Sequence, residues 1–142
     1  MMKEQQNTNG NSKEKFDLQD RFVDYSVRVI KVAESLPDTK AGKHLCSQIL
    51  RSGTSPAANY GEAQSAESRA DFIHKLKLAL KELRETEVWL KIIIRSEMIQ
   101  PLKKLTPLLQ ETDELISILF RSIETSKKRL KEQRQSNSKT ND

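Results

Sequence analysis

Apolar residues recur at intervals of three and four positions in four separate stretches of this sequence. This spacing puts the apolar side chains of each stretch on one side of an α-helix. Only four Gly and four Pro occur in 142 residues, which is typical of a helical protein. Because the connections between the stretches are short, the sequence predicts an all-α fold, an antiparallel up-and-down four-helix bundle.

Three of the four helices have clear local boundaries. The first is predicted over about 17–36, with Asp17 as its N-cap and a proline directly after it. The third is predicted over about 68–98, with Ser68 as its N-cap. The fourth is predicted to begin after Thr106-Pro107, with the proline at the first helical position.

The second helix is harder to delimit, because it contains two residues that usually break helices. It opens near Thr39 and includes Gly53 and Pro56. The apolar spacing nevertheless continues through Pro56 without a shift. The pattern therefore favours one helix with a kink at Pro56 over two segments joined by a loop.

Charge and polarity divide the chain into three parts. Residues 1–15 are polar, and residues 127–142 carry six basic and two acidic side chains, while 16–126 carries sixteen of each. We therefore expect a neutral bundle over 16–126 between two disordered tails, 1–15 and 127–142. The C-terminal tail is the predicted nucleic-acid-binding element, and it acts on phosphates without reading bases. Its candidate residues are Lys127, Lys128, Arg129, Lys131 and Arg134.

The third helix has a second apolar face in addition to the one that belongs to the core. Leu78, Trp89 and Ile92 lie well over 90° around the helix from the main stripe. One explanation is a wide core stripe covered by loops near the helix end. The preferred explanation is a subunit interface anchored by Trp89, because aromatic residues are favoured in such interfaces.

No set of residues in the sequence predicts catalysis, a cofactor or a small-molecule substrate. Asp71 and His74 are one turn apart, but a di-iron bundle needs such a pair on two helices, and capping by Asp71 explains the spacing without a metal. The start of the chain has no signal-like apolar run and no stretch is long enough to span a membrane, so the default expectation is a cytoplasmic location.

One set of polar residues is predicted to form a structural hydrogen-bond network between helices. These residues are Ser52, Asn59, Glu62, Glu82 and Glu85.

Three blocks of sequence resemble a known bacterial family. The blocks are Ser-Gly-Thr-Ser-Pro-Ala-Ala-Asn-Tyr-Gly-Glu-Ala at 52–63, Ser-Arg-Ala-Asp-Phe-Ile-His-Lys at 68–75 and Leu-Lys-Glu-Leu-Arg-Glu-Thr-Glu-Val-Trp-Leu at 80–90. They are similar to four-helix bundle proteins encoded by intervening sequences in 23S ribosomal RNA genes. The resemblance implies a homopentamer, and a distant kinship with accessory proteins of diversity-generating retroelements. It implies no catalytic residue, and Gly61 departs from the larger, commonly basic residue of the family.

Two functions are open on the sequence alone. The leading hypothesis is a non-catalytic homo-oligomeric bundle that associates with RNA or a ribonucleoprotein through its basic tail. The alternative is a protein-binding scaffold or accessory subunit, for example of a reverse transcriptase, with no direct role in binding nucleic acid. The neutral body and the second apolar face favour this alternative.

Overall fold

The computed structural model describes the backbone of residues 10–140 and the side chains of residues 18–139. In that part of the chain there are four α-helices and one short 3-10 turn, and no strand. Each helix packs against the next, and the fourth returns to the first. The predicted up-and-down four-helix bundle is confirmed. The helices are α1 (Gly10–Glu34), α2 (Lys40–Gln64), α3 (Arg69–Arg95) and α4 (Thr106–Thr140), with the 3-10 turn at Leu102–Lys104.

A single apolar core runs along the axis of the bundle. All four helices contribute fully buried side chains to it, such as Phe22, Ile49, Leu83 and Leu115. Phe22 also stacks on Tyr60, with 5.1 Å between ring centroids. The burial follows from the three- and four-residue spacing, which repeats on each helix and gives the four apolar stripes a common interior.

The predicted starts of the second and third helices are confirmed by their capping bonds. Thr39 Oγ1 accepts a hydrogen bond from the backbone N–H of Gly42 at 3.0 Å, which caps α2. Ser68 Oγ accepts one from the N–H of Asp71, also at 3.0 Å, which caps α3. Each bond satisfies a backbone donor that has no partner inside the helix.

The second helix is continuous through Pro56, as the apolar spacing predicts. Pro56 is buried, and so is Gly53 one turn earlier. At Gly53 the two helices α1 and α2 approach so closely that a Cβ atom would overlap the side chain of Val29. The small residue is therefore required by packing, which explains why a helix breaker is found in the middle of a helix.

The third helix ends three residues earlier than predicted, at Arg95, in a Schellman motif. The N–H of Met98 donates to the carbonyl of Ile93, and the N–H of Glu97 donates to the carbonyl of Ile94. Glu97 has a φ of 56°, in the left-handed region that this motif requires and that glycine usually fills. Local spacing could not show the end, because the sequence offers no glycine there.

Both outer ends of the bundle differ from the prediction. The first helix begins at Gly10 and not at Asp17, while residues 1–9 of the predicted N-terminal tail lie outside the described residues. The last helix continues to Thr140, so 127–140 is helical and the disordered tail predicted there is wrong. Residues 10–16 and 127–140 both contain Lys, Glu and Ser and lack proline, so nothing in them stops a helix that is already nucleated.

Candidate nucleic-acid interface

Basic side chains follow two facing lines, one on α3 and one on α4. On each helix they recur at positions i, i+4 and i+7, which lie on one side of a helix over about 10 Å. The helices are antiparallel neighbours, so the two lines run beside each other. They define what we call the α3–α4 groove, whose cations are Lys77, Lys81, Arg84, Lys127, Lys131 and Arg134.

The floor of the groove is apolar at the end nearest the C-terminus. There Lys77, Lys131 and Arg134 surround Ile73 and Leu130 in a depression of about 560 Å³. Ile73 is buried and Leu130 is packed against the core, so the floor is part of the bundle itself. Because α4 continues as a helix past residue 126, its cations are held in a fixed line beside those of α3.

The groove is strongly unbalanced in charge. Glu124 is the acidic residue that lines it, and it is paired with Lys127 at 3.4 Å. Among the described residues, Lys77, Lys131 and Arg134 form no salt bridge. Unpaired cations that face each other across a groove repel, and an anion between them would relieve that repulsion.

Phe120 projects from α4 into the other half of the groove. Its side chain is 49% exposed, and it lies beside Arg84, Ile116 and Arg121. In the described part of the chain it is the one aromatic residue in the exposed class. The sequence pattern placed it beside the core stripe of α4 and gave no reason to connect it with the basic residues.

The five basic residues predicted from the C-terminal segment do not act as one cluster. Three of them line the α3–α4 groove, whereas Lys128 lies one position further round the helix and outside the lining. Arg129 faces a different opening of about 680 Å³ at the end of the bundle, where Arg69 and Arg121 also lie. Because 127–140 is helical, the five basic side chains point to different sides of α4.

The predicted interface on α3 is only partly exposed. Leu78 and Trp89 are half-buried, whereas Ile92 is 41% exposed. The indole N–H of Trp89 donates to Glu85 Oε2 at 3.1 Å, and the ring lies edge-on to His44, with centroids 6.3 Å apart. Trp89 is therefore held in place on the surface between α2 and α3.

A second exposed apolar strip lies on α1 and was not recognised in the sequence. Val23, Val27 and Ile30 are 47%, 45% and 37% exposed at spacings of four and three residues. In the sequence, Val23 and Ile30 lie at helical spacing beside the core stripe of α1, so nothing local separates them from the core. The signal was the same spacing that revealed the second face of α3.

The polar residues predicted as one network form separate contacts in the structure. Ser52 and Thr86 share a buried hydrogen bond of 2.8 Å between α2 and α3. The Arg51 guanidinium binds Glu85 and Glu82, and its hydrogen bond to Glu85 is the largest cause of the rise in the pKa of Arg51.

The other two residues of the predicted network, Asn59 and Glu62, lie nearer the C-terminal end of α2. Glu62 pairs with Lys75 at 2.7 Å and raises its pKa, and Asn59 is half-buried.

In the described structure, Asp71 and His74 are not joined by a third residue that could complete a metal site. His74 is exposed, and the N–H of Asp71 is engaged in the cap of α3. Among the described residues no group of three His, Cys, Asp or Glu side chains is close enough to hold an ion. None of the helices described is long and apolar enough to cross a membrane.

The fold and the groove define a small helical-bundle protein with a basic interhelical surface. The chain belongs to the family described as 23S rRNA-intervening sequence protein, which matches residues 14–121 and confirms the family expected from the three sequence blocks. Among solved structures, it is similar to a protein of unknown function from the S23 ribosomal protein family of Bacteroides thetaiotaomicron. The two are 39% identical over 74% of this chain and 96% of the other, with a TM-score of 0.68. No curated protein matches the chain.

Proposed function

We propose that this protein is a non-catalytic, homo-oligomeric bundle of the cytoplasm that associates with RNA or a ribonucleoprotein through the α3–α4 groove. The observation that carries the proposal is the convergence of cations from two helices on one groove, with a single acidic residue among the described residues that line it. The family's connection to ribosomal RNA genes supports the same class of partner.

The groove suits recognition of the phosphate backbone. Lysine and arginine that bind phosphates release condensed counterions, so binding weakens steeply as salt rises. None of the groove residues forms a base-reading helix motif, so the expected recognition is of backbone and shape. This mechanism assigns the affinity to residues on two helices and not to a flexible tail.

Filter binding to a structured RNA across a salt series tests the proposal. The variant carries Lys131→Gln and Arg134→Gln, and the matched control carries Lys128→Gln and Lys139→Gln. Both remove two charges from the same helix end, but only the first pair lines the groove. We expect the salt slope to fall by about 0.7–0.9 for each phosphate that the variant no longer neutralises, and to stay close to wild type in the control.

Three results would contradict the proposal. Wild-type protein that binds no RNA at low salt would remove it altogether. Equal losses of affinity in the variant and its control would show that net charge matters and that the groove does not. A wild-type affinity that is insensitive to salt would also contradict it, because binding to phosphates requires that dependence.

Two different apolar patches support self-association into a ring. One is the strip of Val23, Val27 and Ile30 on α1, and the other lies on α3 with Ile92 and Val88, which is 53% exposed. A ring forms when one patch of each subunit contacts a different patch of the next. Five subunits is the number that the family resemblance implies.

The second candidate function is a protein-binding scaffold, for example an accessory subunit of a reverse transcriptase. The exposed strip on α1 favours it, because contiguous apolar surface commonly marks a protein interface. A scaffold would retain a protein partner in high salt. A pull-down that enriches only nucleic acid would argue against it.

A further inference from the structure

We propose that the α3–α4 groove takes single-stranded RNA, with one base stacked on the ring of Phe120. This inference rests on the proposed function, since it specifies which form of nucleic acid the same groove accepts. Charge alone does not distinguish single strands from duplexes, because the cations attract the phosphates of both. The aromatic ring adds this distinction, because it can stack on a base whose face is free.

The first step of the argument is the position of Phe120. Single exposed apolar residues are ordinary on protein surfaces, so exposure by itself carries nothing. Phe120, however, lines the same groove as Lys81, Arg84 and Lys127, and it is the exposed aromatic of the described residues. A ring among cations combines the two interactions that unspecific single-strand binding uses, stacking on bases and attraction to phosphates.

The second step is the distance along α4 between the ring and the cations. Lys127 follows Phe120 by seven residues and Arg134 by fourteen, which places them about 10 and about 20 Å along the helix. A strand with one base on Phe120 can therefore pass its next phosphates along Lys127, Lys131 and Arg134. The apolar floor at Ile73 and Leu130 offers a surface for the sugar and base of that strand.

The third step concerns the width of the groove. The two lines of cations lie on directly packed helices, whose axes are about 8–10 Å apart, so a single strand that follows the groove can contact both lines. In duplex RNA the base faces are covered by neighbouring base pairs and the major groove is deep and narrow. A duplex can therefore touch the cations at the rim but cannot bring a base face onto Phe120.

Fluorescence anisotropy with two probes tests the inference. The probes are a ~10-nucleotide oligoadenylate and a duplex RNA of the same length. The variant Phe120→Leu keeps an apolar side chain but has no aromatic face for stacking, whereas Phe120→Trp has a larger aromatic face. We expect Phe120→Leu to weaken binding of oligoadenylate about tenfold and Phe120→Trp to bind it about as well as wild type. Neither variant should change duplex binding by more than about twofold.

The outcomes separate this inference from the function it rests on. If wild-type protein binds both probes equally, or if Phe120→Leu weakens both equally, the single-strand claim is wrong while RNA binding stands. If wild-type protein binds neither probe at low salt, both proposals fail. Circular dichroism of each variant checks the fold, which the substitution should leave intact because Phe120 lies outside the buried core.

Discussion

The hydroxyl of Tyr25 on α1 lies 2.7 Å from Thr112 Oγ1 on α4, and both side chains are buried. Thr112 Oγ1 is also 2.8 Å from the carbonyl of Leu108. Because the threonine hydroxyl has one proton and gives it to that carbonyl, Tyr25 is the donor in the bond between the helices. These two helices approach each other less closely than the other neighbouring pairs.

Replacing Tyr25 with Phe should destabilise the bundle by about 1–2 kcal/mol, because a buried interhelical hydrogen bond is removed. Thr112 keeps its bond to Leu108, which limits the loss of stability. Urea unfolding measures the change. The matched control is Tyr60→Phe, at a half-buried tyrosine, which should cost less. Equal destabilisation would show that the bond to Thr112 contributes nothing.

Stability should also fall at alkaline pH through Tyr25. Burial raises the pKa of its hydroxyl well above the ordinary value, and ionisation would also remove the proton of its bond to Thr112. An unfolded tyrosine ionises near pH 10, so this contribution is complete below that pH and is lost as the pH rises above about 10. The unfolding free energy of wild type should fall more between about pH 9 and 11 than that of Tyr25→Phe. Parallel curves would contradict this.

The two glycines in the interior of α2 should respond in opposite ways to alanine. Gly53→Ala drives a methyl group into Val29 and should cost about 1–3 kcal/mol. At Gly61 the new Cβ would lie 3.3 Å from the amide oxygen of Gln19, at the end of a side chain that can move. Gly61→Ala should therefore be neutral or stabilising by up to about 1 kcal/mol. Thermal unfolding distinguishes the two variants.

Glycine in place of Glu97 should stabilise the protein by about 1 kcal/mol, because a residue with a Cβ is strained at a positive φ. The control is Glu97→Ala, which removes the same carboxylate but keeps the Cβ. If both variants are equally stable in urea, the charge and not the backbone accounts for the effect.

Self-association should depend on both apolar patches. Val27→Asp on α1 and Ile92→Asp on α3 should each lower the mass measured by light scattering, because a ring needs both patches. Trp89→Asp tests the predicted anchor. Gln110→Asp, at an exposed position of α4, is the control and should leave the mass unchanged. A monomeric wild type would contradict the interface.

The sequence was sufficient wherever the signal was local. Thr39 and Ser68 start helices because their hydroxyls cap the N–H groups three residues on, and the same interaction is visible in the sequence. Pro56 was correctly kept within a helix because the apolar spacing on both sides of it is unbroken. Each of these features depends on residues within two helical turns of one another.

The sequence was insufficient where a feature depends on a contact between residues that are far apart in the chain. Tyr25 is an example, because its buried hydroxyl is bonded to Thr112, which lies 87 positions away in the sequence. Likewise, the sequence places Lys131 in a tail and offers no local pattern that connects it with Lys77 on α3. Their common groove follows from the pairing of α3 with α4 and from the length of α4.

The length of α4 also means that the binding surface depends on the direction in which each cation points around the helix axis. Ser126 is buried, and α4 continues beyond it without a break, so the orientation of every later side chain is set by the core. One uncharged residue inserted after Ser126 would leave the net charge unchanged. It would nevertheless rotate Lys127, Lys131 and Arg134 by about 100° and carry them off the line that faces α3. Mutational drift in this segment can therefore exchange lysine for arginine freely, whereas a change of a single residue in length would abolish the surface.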